Sequence, residues 1–153
     1  MYALAGVTTR HNLLTLSIAT DVKLKVADRV YYPDVMMARG RAATAKLVIE
    51  APSLIVEVTS PDTRATDRRE KLDVYRRIPG LEAYLIVDQR RRHVLAYVGD
   101  GTAQWLKQEF QGAEVIALAA PEARVALDDI YEGVELPPLA LGEEEWEDGR
   151  DDG

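Results

Sequence analysis

Apolar and polar side chains alternate from Asp21 to Val26, where Lys23 and Lys25 separate Val22, Leu24 and Val26. This is the period of two expected of a strand with one face in a core. After Tyr31 and Tyr32, Pro33 opens a second run, Asp34 to Ala38, which Arg39-Gly40-Arg41 interrupts, so a strand followed by a loop is predicted. Leu47 to Glu50 fits a brief strand or turn. Pro52 then precedes Leu54-Ile55-Val56-Glu57-Val58, a β-branched run typical of a central strand. Turn and cap formers from Thr59 to Thr63 lead into a helix predicted over Arg64 to Ile78, which Pro79-Gly80 ends. Ala83 to Val87 and His93 to Val98 read as two strands of a hairpin, joined by the polar turn from Asp88 to Arg92. Thr102 to Phe110 and Ala113 to Leu118 read as a further strand pair. One helix crossover among hairpins predicts an α/β domain with a mixed sheet.

Composition narrows the chemistry. With 153 residues, 47% hydrophobic, the chain is long enough to bury one core, and a single domain over residues 1–141 is expected. No cysteine is present, which excludes disulfides, thiolate catalysis and the common structural zinc sites and fits a reducing cytoplasm. His11 and His93 lack ligand-spaced partners, so neither suggests zinc. The N-terminus has no signal-peptide pattern and no apolar run approaches a membrane span, so a soluble, cytoplasmic protein without a membrane partner is expected. The net charge of −7 argues against a nucleic-acid partner only superficially. Most of the excess sits in residues 142–153, an acidic stretch that reads as a disordered tail, and the remaining body is close to neutral.

Glu57 is the anomaly in this pattern. A carboxylate within Leu-Ile-Val-Glu-Val costs several kcal/mol if buried alone, so it should be paired, metal-bound or at an exposed strand end. Hard cations such as Mg²⁺ need only one or two protein carboxylates, and Asp34 with Glu57 would suffice. On the strand, Ile55, Glu57 and Thr59 share one face. Lys71 lies roughly two turns into the following helix and leans back toward the strand end, and Asp67, four residues earlier, shares its face and could orient it. Each residue also has a plainer reading: Asp34 as a turn acid, Glu57 in an ion pair with a helix arginine, Lys71 and Asp67 as a solvated surface pair. Asp88 reads as the start of the hairpin turn, and Tyr75 as core.

These residues fall in ordered blocks: Tyr32-Pro33-Asp34-Val35, then Pro52 through Thr63, Asp67, Lys71 and Tyr75, then Glu82-Ala83-Tyr84-Leu85-Ile86-Val87-Asp88. Together they resemble the Uma-two family of restriction endonucleases, within the PD-(D/E)XK nuclease superfamily, over roughly Asp21 to Pro138. The resemblance implies a restriction-endonuclease-like fold, a mixed central β-sheet flanked by helices. It implies that Asp34 and Glu57 bind Mg²⁺ or Mn²⁺, and that Lys71 replaces the strand lysine usual two positions after the second acid, where Thr59 stands. Thr59, Ser60 and Asp67 would support the site. The chain departs from the family at its N-terminus: Thr8 to Asn12 resembles the start of a family helix, but about twenty residues before Asp34 are too few for that helix and its strands. A shortened N-terminal region is therefore expected.

The leading expectation is hydrolysis of phosphodiester bonds in DNA by Asp34, Glu57 and Lys71. Arg64, Arg68 and the Arg90 to Arg92 turn could contact phosphate, although arginine-rich faces are usually just solvated. A homodimer is a further expectation. The main rival keeps the fold but binds nucleic acid or a protein partner without cutting, and a third reading treats Glu57 as part of a structural ion-pair cluster.

Overall fold

The apolar run that stands out in the sequence becomes the strand Leu54–Thr59, and the rest of the molecule is organised around it. The computed structural model describes residues 16–20, 22–39, 48–59, 65–99, 104–119 and 122–136. In chain order its strands are β1 (Leu16–Thr20), β2 (Lys23–Val26), β3 (Arg29–Tyr31), β4 (Val35–Arg39), β5 (Val48–Ile49), β6 (Leu54–Thr59), β7 (Ala83–Asp88), β8 (His93–Gly99), β9 (Trp105–Gln111), β10 (Val115–Ala119) and β11 (Glu122–Ala126). Helix α1 spans Ala65–Tyr75 and α2 is a single turn, Leu127–Ile130.

The six-stranded main sheet has the order β1-β4-β6-β7-β8-β9. Its β6–β7 pair is parallel, and its other pairs are antiparallel. A parallel pair requires a crossover, and α1 supplies it. A three-stranded sheet, β3-β2-β5, and the β10-β11 hairpin complete the strands. The mixed sheet expected from the sequence is present. The described residues are mostly strand, with one helix longer than a turn, and thus give a sheet-rich α/β fold in which helices flanking both faces are not seen.

Period-two alternation on the central strands separates two cores. Leu54 and Val56, with Val35, Leu85, Val87 and Val94, face β10, β11 and α2, whose Ile116, Val125, Leu127 and Tyr131 close that side. Ile55, with Met36, Tyr84, Ile86 and Leu95, faces Tyr75 of α1 and Leu24 and Ile49 of the small sheet. Glu57 and Thr59 continue the second face, so the site is built where the α1 layer meets the C-terminal end of β6.

Several sequence expectations change at the level of pairing. β9 pairs with β8, and β10 pairs with β11, so the two late strands do not pair with each other. α1 ends at Tyr75, where Arg77 and Ile78 donate to carbonyls three residues back, a tightening that commonly closes a helix. Gly80 follows at φ 81°, a conformation that suits glycine because it has no Cβ. β1, β3, β11 and α2 fall outside the elements expected from the sequence. The expected tail, residues 142–153, and the Thr8 to Asn12 segment lie outside the described residues. Among the described residues no helix is long and apolar enough to cross a membrane.

Candidate functional site

The Asp34 carboxylate reaches the β6 backbone one residue past Glu57. Val35 is aligned with Val56, Met36 with Ile55 and Met37 with Leu54. Asp34 sits in a bend one position before β4, just beyond the last aligned pair, Val35 with Val56. Asp34 is exposed at the mouth of β4, and its Oδ2 accepts the Val58 N–H at 2.7 Å, continuing the ladder with a side chain where the strand itself begins.

Glu57 is 6% exposed, and its charge is met by three donors. The Tyr75 hydroxyl donates to Oε1 at 3.0 Å, and the Tyr84 hydroxyl donates to Oε2 at 2.8 Å. Lys71 Nζ reaches Oε2 at 3.3 Å and Asp67 Oδ2 at 3.5 Å. Glu57 is thus a paired buried acid, as one of the three sequence alternatives required, and the exposed strand end is excluded. Among the described residues its partners are a helix lysine and two tyrosines, and no helix arginine is among them.

Secondary structure explains each position. Lys71 and Tyr75 are four apart on α1 and so lie on one face, with Asp67 one turn earlier. Tyr84 is aligned with Ile55 across the parallel β6–β7 pair, on the α1 side of the sheet. Its ring stands edge-on to Tyr75 with centroids 5.1 Å apart, and Tyr75 in turn meets Tyr31 edge-on at 5.3 Å. These contacts orient both hydroxyls. Sequence reasoning missed Tyr84 altogether and saw Tyr75 only as core. A tyrosine within the otherwise aliphatic Ala83 to Val87 strand was the available signal, since a buried hydroxyl needs a partner.

The electrostatics follow from this burial. Burial, reinforced by the Glu57 charge, raises the Tyr75 and Tyr84 hydroxyls far above the ordinary tyrosine range, so both remain protonated donors. For Lys71, burial lowers the pKa, but attraction to Glu57 and then Asp67 outweighs it and the net shift is upward. Lys71 is therefore a fixed ammonium at neutral pH, able to balance negative charge and unsuited to accept a proton.

Thr59 is buried beyond Glu57 on the same strand, aligned with Asp88 of β7, and its carbonyl accepts the Gln89 N–H at 3.0 Å. Arg68 lies half-buried on α1 next to Asp67. Ser60 and Arg64 lie outside the described residues. Asp88 starts the hairpin turn as expected: its carboxylate takes the Arg90 N–H at 2.8 Å and Arg91 Nε at 3.0 Å.

Asp34 and Glu57, both near the C-terminal end of β6, are carboxylates of the kind that a hard divalent ion keeping several of its waters takes. They do not amount to a cage, since no group of three or more acidic or imidazole ligands occurs among the described residues.

The family described as "Putative restriction endonuclease" matches residues 3–128. The match begins well before Asp21, where the resemblance read from the sequence starts. Two uncharacterised proteins of Synechocystis sp. are related to the chain. One, sll1609, is 32% identical over 130 residues, covering 71% of this chain and 73% of the relative. The other, slr1290, is 28% identical over 155 residues, covering 88% and 80%. Among solved structures, a crystal structure titled as a putative nuclease belonging to DUF820, from Anabaena variabilis, superposes with a TM-score of 0.59. It is 14% identical, and the alignment covers 76% of this chain and 68% of that one, which supports the fold. With the acids, the lysine and the central strand in the order of the family's blocks and the match spanning most of its length, the chain belongs to the Uma-two restriction-endonuclease family.

Proposed function

We propose that the chain is a metal-dependent endonuclease that hydrolyses phosphodiester bonds in DNA. The observation that carries this reading is the Lys71 ammonium held 3.3 Å from the buried Glu57, one residue from the backbone N–H that Asp34 accepts. Asp34 and Glu57 would hold Mg²⁺ or Mn²⁺, and the ion, when bound, supplies a water of lowered pKa at a hard oxygen site. Tyr75 and Tyr84 fix the Glu57 carboxylate by donating to both of its oxygens. Lys71, always charged, steadies the negative charge that develops on the phosphate oxygens as the bond is cut. Asp67 holds Lys71 from the helix side, and Thr59 and Ser60 would support the site. Arg64 and Arg68 would contact the phosphate backbone, a role that positions DNA without reading its sequence.

A second reading rests on one specific observation: three protein donors already satisfy Glu57. A carboxylate so occupied can serve the fold alone, leaving a nuclease-fold domain that binds nucleic acid or a protein partner without cutting. Cleavage of supercoiled and linear DNA with Mg²⁺ or Mn²⁺ separates the two. Under the nuclease reading, Asp34→Ala and Glu57→Ala lose cleavage by about 100-fold or more, as expected when a group acting directly on the reacting atoms is removed. Activity in these variants equal to that of the wild type rejects the nuclease reading. Titration calorimetry that finds no Mn²⁺ binding to the folded wild type favours the second.

A further inference from the structure

Strand β9 closes one side of the main sheet, and among the described residues no strand pairs with its outer edge. All seven of its residues pair with β8 in unbroken register, from Trp105 with Gly99 to Gln111 with His93, and it contains neither proline nor bulge. Protein edge strands are normally shielded by shortness, bulges, proline or charged side chains, lysine above all, because a long regular edge is a template for another strand. Of these devices β9 carries only the charges of Lys107 and Glu109, and a second copy can pair them; it also presents Leu106, 53% exposed, and Val115 of β10 follows at 40%.

The sequence of this edge is complementary to itself. A two-fold axis through Gln108 aligns Lys107 of one copy with Glu109 of the other, and by symmetry Glu109 with Lys107. The same operation sets Leu106 opposite Phe110. Within one chain Lys107 Nζ already lies 3.7 Å from Glu109 Oε1, so both charges stand on one face of the strand, where a second copy would meet them. Leu106 and Phe110 occupy the other face, aligned with Val98 and Val94 of β8 and beside the groove that Val115 and Ala117 line. One face would thus pair opposite charges, and the other would set two Leu106–Phe110 pairs about a central Gln108 pair; opposite-charge and apolar pairs are cross-strand combinations that stabilise sheets.

We infer that β9 is a self-association edge: two copies of this chain pair antiparallel through Trp105–Gln111, about Gln108, and join their main sheets into one. The contact is isologous and closes after two copies, so it yields a dimer and not a fibre. The pairing is independent of the metal site and of whether the chain cuts DNA.

Charge exchange on the full chain tests this. Sedimentation equilibrium of the wild type should show a monomer–dimer equilibrium at or below ~100 μM. Lys107→Glu sets glutamates opposite one another twice and should weaken association ~10-fold or more. The double variant Lys107→Glu, Glu109→Lys restores opposite charges in the same register and should restore the dimer. Both substituted positions are on the exposed edge, and circular dichroism checks that each variant is folded. A wild type that stays monomeric over this range overturns the inference. A dimer that Lys107→Glu leaves unchanged also overturns it, because association would then use another surface.

Discussion

Glu57 shows how one buried charge organises its neighbours. A carboxylate that is 6% exposed is tolerable only when its oxygens are met, and here two tyrosine hydroxyls and an ammonium meet them. The dependence runs both ways, since Tyr75 and Tyr84 are fully buried and rely on Glu57 as acceptor. Tyr84→Phe keeps the ring and removes one donor, so it should lower stability by about 1–2 kcal/mol. Glu57→Ala strands both hydroxyls and frees Lys71, and should cost about 2–5 kcal/mol. Urea unfolding of the two variants checks this, and an unchanged midpoint for Tyr84→Phe would remove that hydroxyl from the network. The sequence made Glu57 conspicuous because charge inside a β-branched run is rare. It could not name the partners, because Tyr84 comes from a strand 27 residues on, and only the parallel register delivers its hydroxyl.

Among the elements, the β2–β3 hairpin is the least comfortable. Val26 is aligned with Arg29, so the turn has two central residues, and the first, Ala27, has φ 54°. Tight hairpins place glycine or asparagine at such a position because a Cβ crowds the backbone there, at a cost of about 1 kcal/mol. Ala27→Gly should therefore stabilise the protein by up to about 1 kcal/mol, offset in part by the freedom glycine adds to the unfolded chain. Thermal unfolding measures it, and a lower melting temperature would show that the turn does not strain Ala27. The hairpin's own stability matters for the site, since Tyr31 at its end packs on Tyr75. α1 was legible from its caps and breaker, but its last three expected residues were not, because Arg76 to Ile78 go into closing turns that a periodic pattern cannot distinguish from helix.

At the scale of the whole molecule, the far end of the sheet is tied by a second buried polar group. The Tyr131 hydroxyl lies 2.6 Å from the Asp88 carbonyl and 2.9 Å from that of His93, and it accepts the His93 N–H at 3.2 Å, fastening the chain after α2 to the β7–β8 turn. Burial pushes this hydroxyl up to about 12, so it stays protonated. Burial also lowers the His93 pKa, against the opposing pull of Glu109 at 3.5 Å. The folded protein thus holds His93 neutral at pH values where the unfolded chain protonates it. This contribution is fully present above about pH 6.5 and is lost as pH falls from there toward the folded-state pKa. Urea unfolding between about pH 7.5 and about pH 5 should show stability falling with pH, with a shallower slope in His93→Gln; equal slopes would mean that His93 titrates alike in both states. By itself the sequence determined the mixed sheet, the central strand, the α1 crossover and the anomalous Glu57, because period-two alternation, caps and a misplaced charge are local signals. Only the tertiary structure decided which strands pair, so that β9 joins β8 and no other described strand, and which hydroxyls satisfy Glu57. Pairing partners and buried acceptors are chosen by the total burial and hydrogen bonding of the assembled sheet, to which residues distant in sequence contribute equally.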